Sequence, residues 1–189
     1  MNNKLKVGIF GGSFNPIQNS HLKLIKSILS KNLIDEIWIV PCKKHAFKGY
    51  ITNDKHRVEM IKLAIKDPRV NICDVELKSD NVNYTIDTIK KLKEKNDYEF
   101  FWIAGSDILH EIKRWHNYKE LFNEIKFIIF ERKDYSIIDV SGMKIIIINE
   151  TSNTISSTEI RNNIKLGKSL KNLIPLNVEE YIKKKGLYK

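Results

Sequence analysis

The chemically capable residues of this chain gather in three short stretches. The first is Gly11-Gly12-Ser13-Phe14-Asn15-Pro16-Ile17-Gln18-Asn19-Ser20-His21. A short apolar run from Leu5 to Phe10 precedes it, and apolar residues at helical spacing follow it. Glycines let bare backbone approach a ligand, and Pro16 forbids simple continuation of strand or helix. A helix starting near Ser20 turns its N–H groups and the positive end of its dipole toward an anion. Strand, glycine-rich turn and helix together suit phosphate, and His21, one position inside the new helix, lies where a bound phosphate would. The stretch is neither of the two common phosphate loops, since it has no GxGxxG in register and no GxxxxGK[ST]. The second stretch, Gly105-Ser106-Asp107, closes another apolar run. The third, Ser156-Ser157-Thr158-Glu159-Ile160-Arg161, opens a helix, with Ser156 and Glu159 at capping-box spacing. Arg161, one turn on, can fork onto phosphate oxygens.

These stretches act together only if a scaffold brings them together. The first helix carries Leu22, Ile25, Ile28 and Leu29 on one face. Residues 35–41 read as a second buried strand, so strand, helix and strand form a right-handed parallel unit. A long basic and aromatic loop spans residues 42–53, a length more often functional or mobile than idle. A helix follows over 54–65, with Val58, Ile61, Leu63 and Ala64 on or near one face, and Asp67-Pro68 ends it. Residues 70–75 make a third strand. Asn83 is the expected N-cap of a helix over 84–95, and 98–104 is a strongly apolar fourth strand. Short helices over 108–112 and 118–122 lead to strands at 126–131 and 144–149. The Ser156 helix and a last helix over 178–184, closed by Gly186, complete the chain. Alternation throughout, with no repeat or linker, predicts an α/β fold: one domain over 1–189, built as a single doubly wound, Rossmann-like parallel sheet with helices on both faces. Such sheets bind ligands at the carboxyl ends of their strands, at the topological switch point, where the three stretches should meet.

Composition bounds the function. At 189 residues the chain has length for one sizeable core. No run approaches the ~18 apolar residues of a membrane span, and no signal peptide is visible. Cys42 and Cys73 lack metal-ligand spacing and read as reduced thiols of a cytoplasmic protein. The formal charge of +10 comes from scattered lysines. It suits a surface that attracts nucleotides, and a nucleic-acid-binding reading rests on that charge alone.

The first stretch resembles the nucleotidyltransferase signature GG[ST]F[DN]PxHxGH, and Ile155 to Arg161 resembles the ISSTxIR motif of the same superfamily. His56-Arg57-Val58-Glu59-Met60, Tyr84-Thr85-Ile86-Asp87-Thr88, Gly105-Ser106-Asp107 with Trp115 beyond it, and the tail from Tyr181 to Tyr188 extend the likeness over the whole chain. In this order they resemble the bacterial nicotinate-nucleotide adenylyltransferases. The resemblance implies adenylyl transfer from ATP to nicotinate mononucleotide, by in-line attack of a 5′-phosphate on the α-phosphorus, with pyrophosphate leaving. Positioning and charge neutralisation then carry the catalysis. His21, Gln18 and Arg161 are the implied catalytic residues. Phe10, Gly11, Gly12, Ser13, Lys48, Ile155, Ser156, Ser157 and Thr158 would surround the triphosphate, with Gly105 and Asp107 near the ATP ribose. Thr85 and Trp115 would hold the pyridine, Trp115 by its flat face. Mg²⁺ would arrive on the ATP phosphates, since the sequence shows no dedicated cage. His45, His110 and His116 read as surface histidines.

Two positions depart from the signature. Gln18 stands where its first His belongs and Ser20 where it has Gly. Gln18 cannot be charged, but its amide can donate to a phosphate oxygen, and the related enzymes that act on phosphopantetheine carry Thr there. The expectation is therefore a working, slower enzyme. Its alternatives are a chain that uses nicotinamide mononucleotide and a nucleotide-binding protein without turnover. The sequence leaves a homo-oligomer open.

Overall fold

The computed structural model describes residues 4–43, 51–79, 82–152 and 155–189. Within these residues six strands form one all-parallel sheet: β1 (Lys6–Gly12), β2 (Glu36–Pro41), β3 (Val70–Ile72), β4 (Glu99–Gly105), β5 (Lys126–Arg132) and β6 (Ile145–Ser152). Their order is β3-β2-β1-β4-β5-β6. Among the described residues six α-helices accompany them: α1 (Asn19–Ser30), α2 (Asp54–Ala64), α3 (Thr85–Lys95), α4 (Tyr118–Glu124), α5 (Ser157–Lys165) and α6 (Leu176–Lys185).

Side chains alternate across a strand, so each central strand feeds two cores. Phe10, Ile37, Ile39, Phe101, Ile103, Ile128 and Phe130 pack against Leu24, Ile28, Met60, Ile160 and Val178 from α1, α2, α5 and α6. Val7, Ile9, Phe100, Trp102, Phe127 and Ile129 face Ile86, Ile89, Leu121 and Phe122 from α3 and α4. A sheet covered on both faces explains why its strands read as continuous apolar runs. The chain leaves β1 toward β2 on one side and later returns to β4 on the other. Gly12 and Gly105 therefore end adjacent strands whose connections run to opposite faces, which opens a crevice between them.

Several local expectations are corrected. Asn83 does not cap α3: Tyr84 is the N-cap residue, and Asn83 Nδ2 donates to the Glu76 carbonyl at 3.1 Å. The third strand stops at Ile72, because the chain turns over residues 75–78, where the Lys78 N–H reaches the Asp74 carbonyl. The helix expected over 108–112 is instead a 3-10 turn, Ser106–His110, followed by another at Ile112–Arg114. On α2 the buried face is Arg57, Met60, Ile61 and Ala64, with Val58 and Leu63 only partly covered. The last helix starts two residues early, because the Pro175 carbonyl accepts from Val178 and Glu179 and so closes its first turn. The capping of α5 follows expectation, with Ser156 Oγ accepting from the Glu159 N–H at 3.1 Å, and Gly186 ends α6 at φ 61°.

Candidate active site

One cleft of about 1620 Å³ lies over the carboxyl ends of β1 and β4. Phe10, Gly11, Gly12, Ser13, Gln18, His21, Thr85, Gly105, Asp107, Trp115, Ile155, Ser156, Ser157, Thr158 and Arg161 all line it. Lys48 and His45 lie outside the described residues.

One wall of the cleft is built where the N-termini of α1 and α5 approach one another. His21 is the third residue of α1, deeper than its expected place. Its Nδ1 accepts from the Gln18 backbone N–H at 3.1 Å, so the proton of the neutral ring sits on Nε2. Phe10 and Phe14 meet the ring edge-on, with centroids 5.8 and 5.3 Å away. Burial first, and the Arg132 charge second, lower the His21 pKa from 6.5 to about 4. At neutral pH the ring is therefore an uncharged donor, not a cation. Arg161 gives one nitrogen to the Asn15 carbonyl at 2.9 Å and another to Thr158 Oγ1 at 3.0 Å. Gln18 does not stand with a bare amide over the cleft: its Nε2 donates to Ser157 Oγ at 2.8 Å.

Beneath this wall Arg57 is fully buried and ties two connections together, the one after β1 and the one after β2. It donates to the carbonyls of Ser13 (2.7 Å), Cys42 (2.6 Å) and Thr52 (3.0 Å), and pairs with Asp54. Asn15, also buried, holds Arg161 through its carbonyl and accepts from the Tyr188 hydroxyl on its side chain at 2.7 Å.

At the end of β4, Asp107 Oδ1 lies 3.2 Å from Arg132 Nε and makes no hydrogen bond among the described residues. This pair rests against Gly105. A Cβ there would come within 2.5 Å of both Arg132 Nε and Asp107 Oδ1, so any side chain at 105 would have to displace this pair. Gly11 answers to packing in the same way, because a Cβ would fall 2.7 Å from the Trp102 ring. The far end of the cleft carries Thr85, first residue of α3, and Trp115, which meets Trp102 edge-on at 6.4 Å. His116 is exposed, as expected of a surface histidine, and stacks on Tyr84 at 4.3 Å. His110 Nε2 donates to the Ser136 carbonyl at 3.1 Å. Glu76 also lines this end; its buried carboxylate accepts from Thr88 Oγ1 at 2.8 Å, and burial raises its pKa.

Arg57, Arg132, Glu76 and Tyr188 were not among the expected site residues. Arg132 carried a usable signal, a cation at the carboxyl end of an apolar strand. Glu76, in an irregular stretch, carried none. Among the described residues no three His, Cys, Asp or Glu side chains cluster closely enough to hold a metal ion. The Asp107 carboxylate faces Arg132 and does not offer a resident cation a cage.

Comparison with known proteins agrees with this geometry. The cytidylyltransferase-like family matches residues 9–163. A nicotinate-nucleotide adenylyltransferase of Bacillus subtilis is 35% identical over 188 residues, covering 97% of this chain and 98% of that one. A probable nicotinate-nucleotide adenylyltransferase of Fusobacterium nucleatum is 37% identical over 190 residues, covering 95% and 98%. Among solved structures, the nicotinic acid mononucleotide adenylyltransferase of Plasmodium falciparum complexed with NaAD superposes with a TM-score of 0.85 at 28% identity, covering 97% of each chain.

Proposed function

The chain belongs to the nicotinate-nucleotide adenylyltransferases of the cytidylyltransferase-like family, and from that premise we propose how its cleft moves an adenylyl group from ATP to nicotinate mononucleotide, forming deamido-NAD and pyrophosphate in NAD biosynthesis. An oxygen of the mononucleotide 5′-phosphate bonds to the α-phosphorus, and the bond to the β-phosphate bridging oxygen breaks on the opposite side. No side chain becomes covalently attached. The protein aligns two phosphates and stabilises the charge that develops on the leaving group.

His21 Nε2–H, the Ser157 hydroxyl and the Arg161 guanidinium face the triphosphate, with Phe10, Gly11, Gly12 and Ser13 on one side and Ile155, Ser156 and Thr158 on the other. A neutral His21 suits this role: its proton is held on one nitrogen by the Gln18 N–H on the other, so it donates without reorienting. Gly105 and Asp107 take the ATP ribose, and Thr85 and Trp115 take the pyridine. Lys48 is the further residue that the resemblance assigns to the triphosphate. Mg²⁺ carried by ATP would neutralise part of the phosphate charge; among the described residues no three His, Cys, Asp or Glu side chains cluster to form a separate site for it. The partners are ATP and the mononucleotide, and the setting is cytoplasmic.

The observation that carries this reading is the convergence, in one cleft, of a phosphate wall from α1 and α5 with an aromatic end at Trp115. The test is pyrophosphate release with ATP and each mononucleotide in turn. Turnover is expected with nicotinate mononucleotide and should exceed that with the nicotinamide form. Absence of turnover with both, alongside ATP binding, would replace transfer with binding alone.

A further inference from the structure

The two departures from the nucleotidyltransferase signature are joined in the structure. Ser20 Oγ donates to Gln18 Oε1 at 3.1 Å, and Gln18 Nε2 donates to Ser157 Oγ at 2.8 Å. Gln18 is 4% exposed, and a side-chain amide buried to that extent needs partners for both its ends. Ser20 supplies a hydrogen for the carbonyl end, beside the His21 N–H of the α1 capping box. With the oxygen taken, the NH₂ group must face the other way, toward α5. A glycine at position 20 would leave the carbonyl end without that hydroxyl, so each departure makes the other intelligible.

The receiving residue matters equally. Ser157 is the first residue of α5 and follows its N-cap, Ser156. Gln18 is the N-cap residue of α1. The bond between them spans 139 positions of sequence and sets two helix N-termini against each other. A second strut, Arg161 to the Asn15 carbonyl, crosses the same gap.

We propose that Gln18, oriented by Ser20, is a positioning residue that acts on the nucleotide triphosphate through Ser157 and not by touching it. The inference rests on the adenylyl-transfer reading for its ligand. It changes the assignment of Gln18 from direct phosphate donor to strut, and makes Ser20, Gln18 and Ser157 one unit.

The test is a double-mutant cycle read by calorimetric affinity for a non-hydrolysable ATP analogue. Gln18→Ala and Ser157→Ala are each expected to weaken binding by roughly 10-fold, the scale of one lost hydrogen bond. The double variant should be no weaker than Ser157→Ala alone. Ser20→Ala should reproduce the Gln18→Ala loss in the parent and add nothing on the Gln18→Ala background, while Ser20→Thr, which keeps a hydroxyl, should restore affinity. In steady state the ATP KM should rise with the mononucleotide KM unchanged, a split that general loosening of the fold would not produce. Should Gln18→Ala melt below the assay temperature, Gln18→Met, close in volume, takes its place in the cycle. A double variant weakened by roughly 100-fold, the product of the singles, would put Gln18 on the ligand itself and overturn the proposal, as would Ser20→Ala with parent affinity. Parent turnover is measured beside the cycle. A parent without turnover but with the expected cycle would remove the transfer reading alone, and a parent that does not bind the analogue would remove both.

Discussion

His21 shows how one backbone contact decides what a side chain can do. Because the Gln18 N–H occupies Nδ1, the neutral ring keeps its proton on Nε2, and burial keeps it neutral down to about pH 4. Titration of the free protein followed by imidazole NMR should give a midpoint near 4. Arg132→Ala should raise that midpoint but leave it below 6.5, since burial is the larger cause. The linked effect on stability has a definite sign. Between pH 6.5 and about 4 the unfolded chain carries a proton on His21 that the native state refuses, so stability rises with pH across that window. His21→Gln should flatten this slope in urea titrations, and an unchanged slope would place the acid sensitivity elsewhere. For catalysis, His21→Ala should lower kcat by ~10²–10³-fold, the usual effect of losing one donor to developing charge, with the melting temperature as control. Arg161→Lys should also lose much of kcat, because an ammonium cannot hold the Asn15 carbonyl and Thr158 while forking onto phosphate. Unchanged kcat would remove Arg161 from the leaving-group site.

At the scale of elements, the site exists because helix starts and strand ends are pinned by side chains that do not face the substrate. Arg57 belongs to α2 yet holds the loops that follow β1 and β2. Arg57→Met would leave three carbonyl oxygens without this donor and Asp54 without its cation. At ~1–3 kcal/mol for each unsatisfied buried group, the variant should lose several kcal/mol of unfolding free energy in denaturant titrations; a loss below ~1 kcal/mol would mean water replaces the guanidinium. Trp115 ends a 3-10 turn and packs partly on the second core. If it carries the pyridine, Trp115→Ala should raise the mononucleotide KM far more than the ATP KM. A fall in melting temperature with both KM values unchanged would make it a packing residue only.

At the scale of the molecule, the sheet is shared by both cores, and neighbouring residues of β1 serve opposite faces: Ile9 one, Phe10 the other. We expect the chain to unfold as one unit. Ile61→Ala and Ile89→Ala, one in each core, should lower the same single calorimetric transition. Two separable transitions would argue for two units. Among the described residues no helix is long and apolar enough to cross a membrane.

Local chemistry was legible in the amino-acid order alone. Apolar runs of strand length, helical periodicity, the Ser156 cap and the Gly186 stop are written in adjacent residues, because each depends on backbone preference within a few positions. So are the three stretches, after β1, after β4 and at the start of α5, that the fold brings to one cleft. Long-range choice of partner was not legible. A buried arginine can face out or in at the same helical spacing, and only the carbonyls of Ser13, Cys42 and Thr52 brought around it made burial of Arg57 stable. Gln18 has the same composition whether its amide points at a ligand or at Ser157; the approach of α5 decides. His21 was visible as a residue, but its tautomer and lowered pKa come from two phenyl rings, one N–H and Arg132 on a distant strand. Hydrogen bonds and desolvation act through space at a few ångströms, so they are determined only once the sheet has set which distant segments are neighbours.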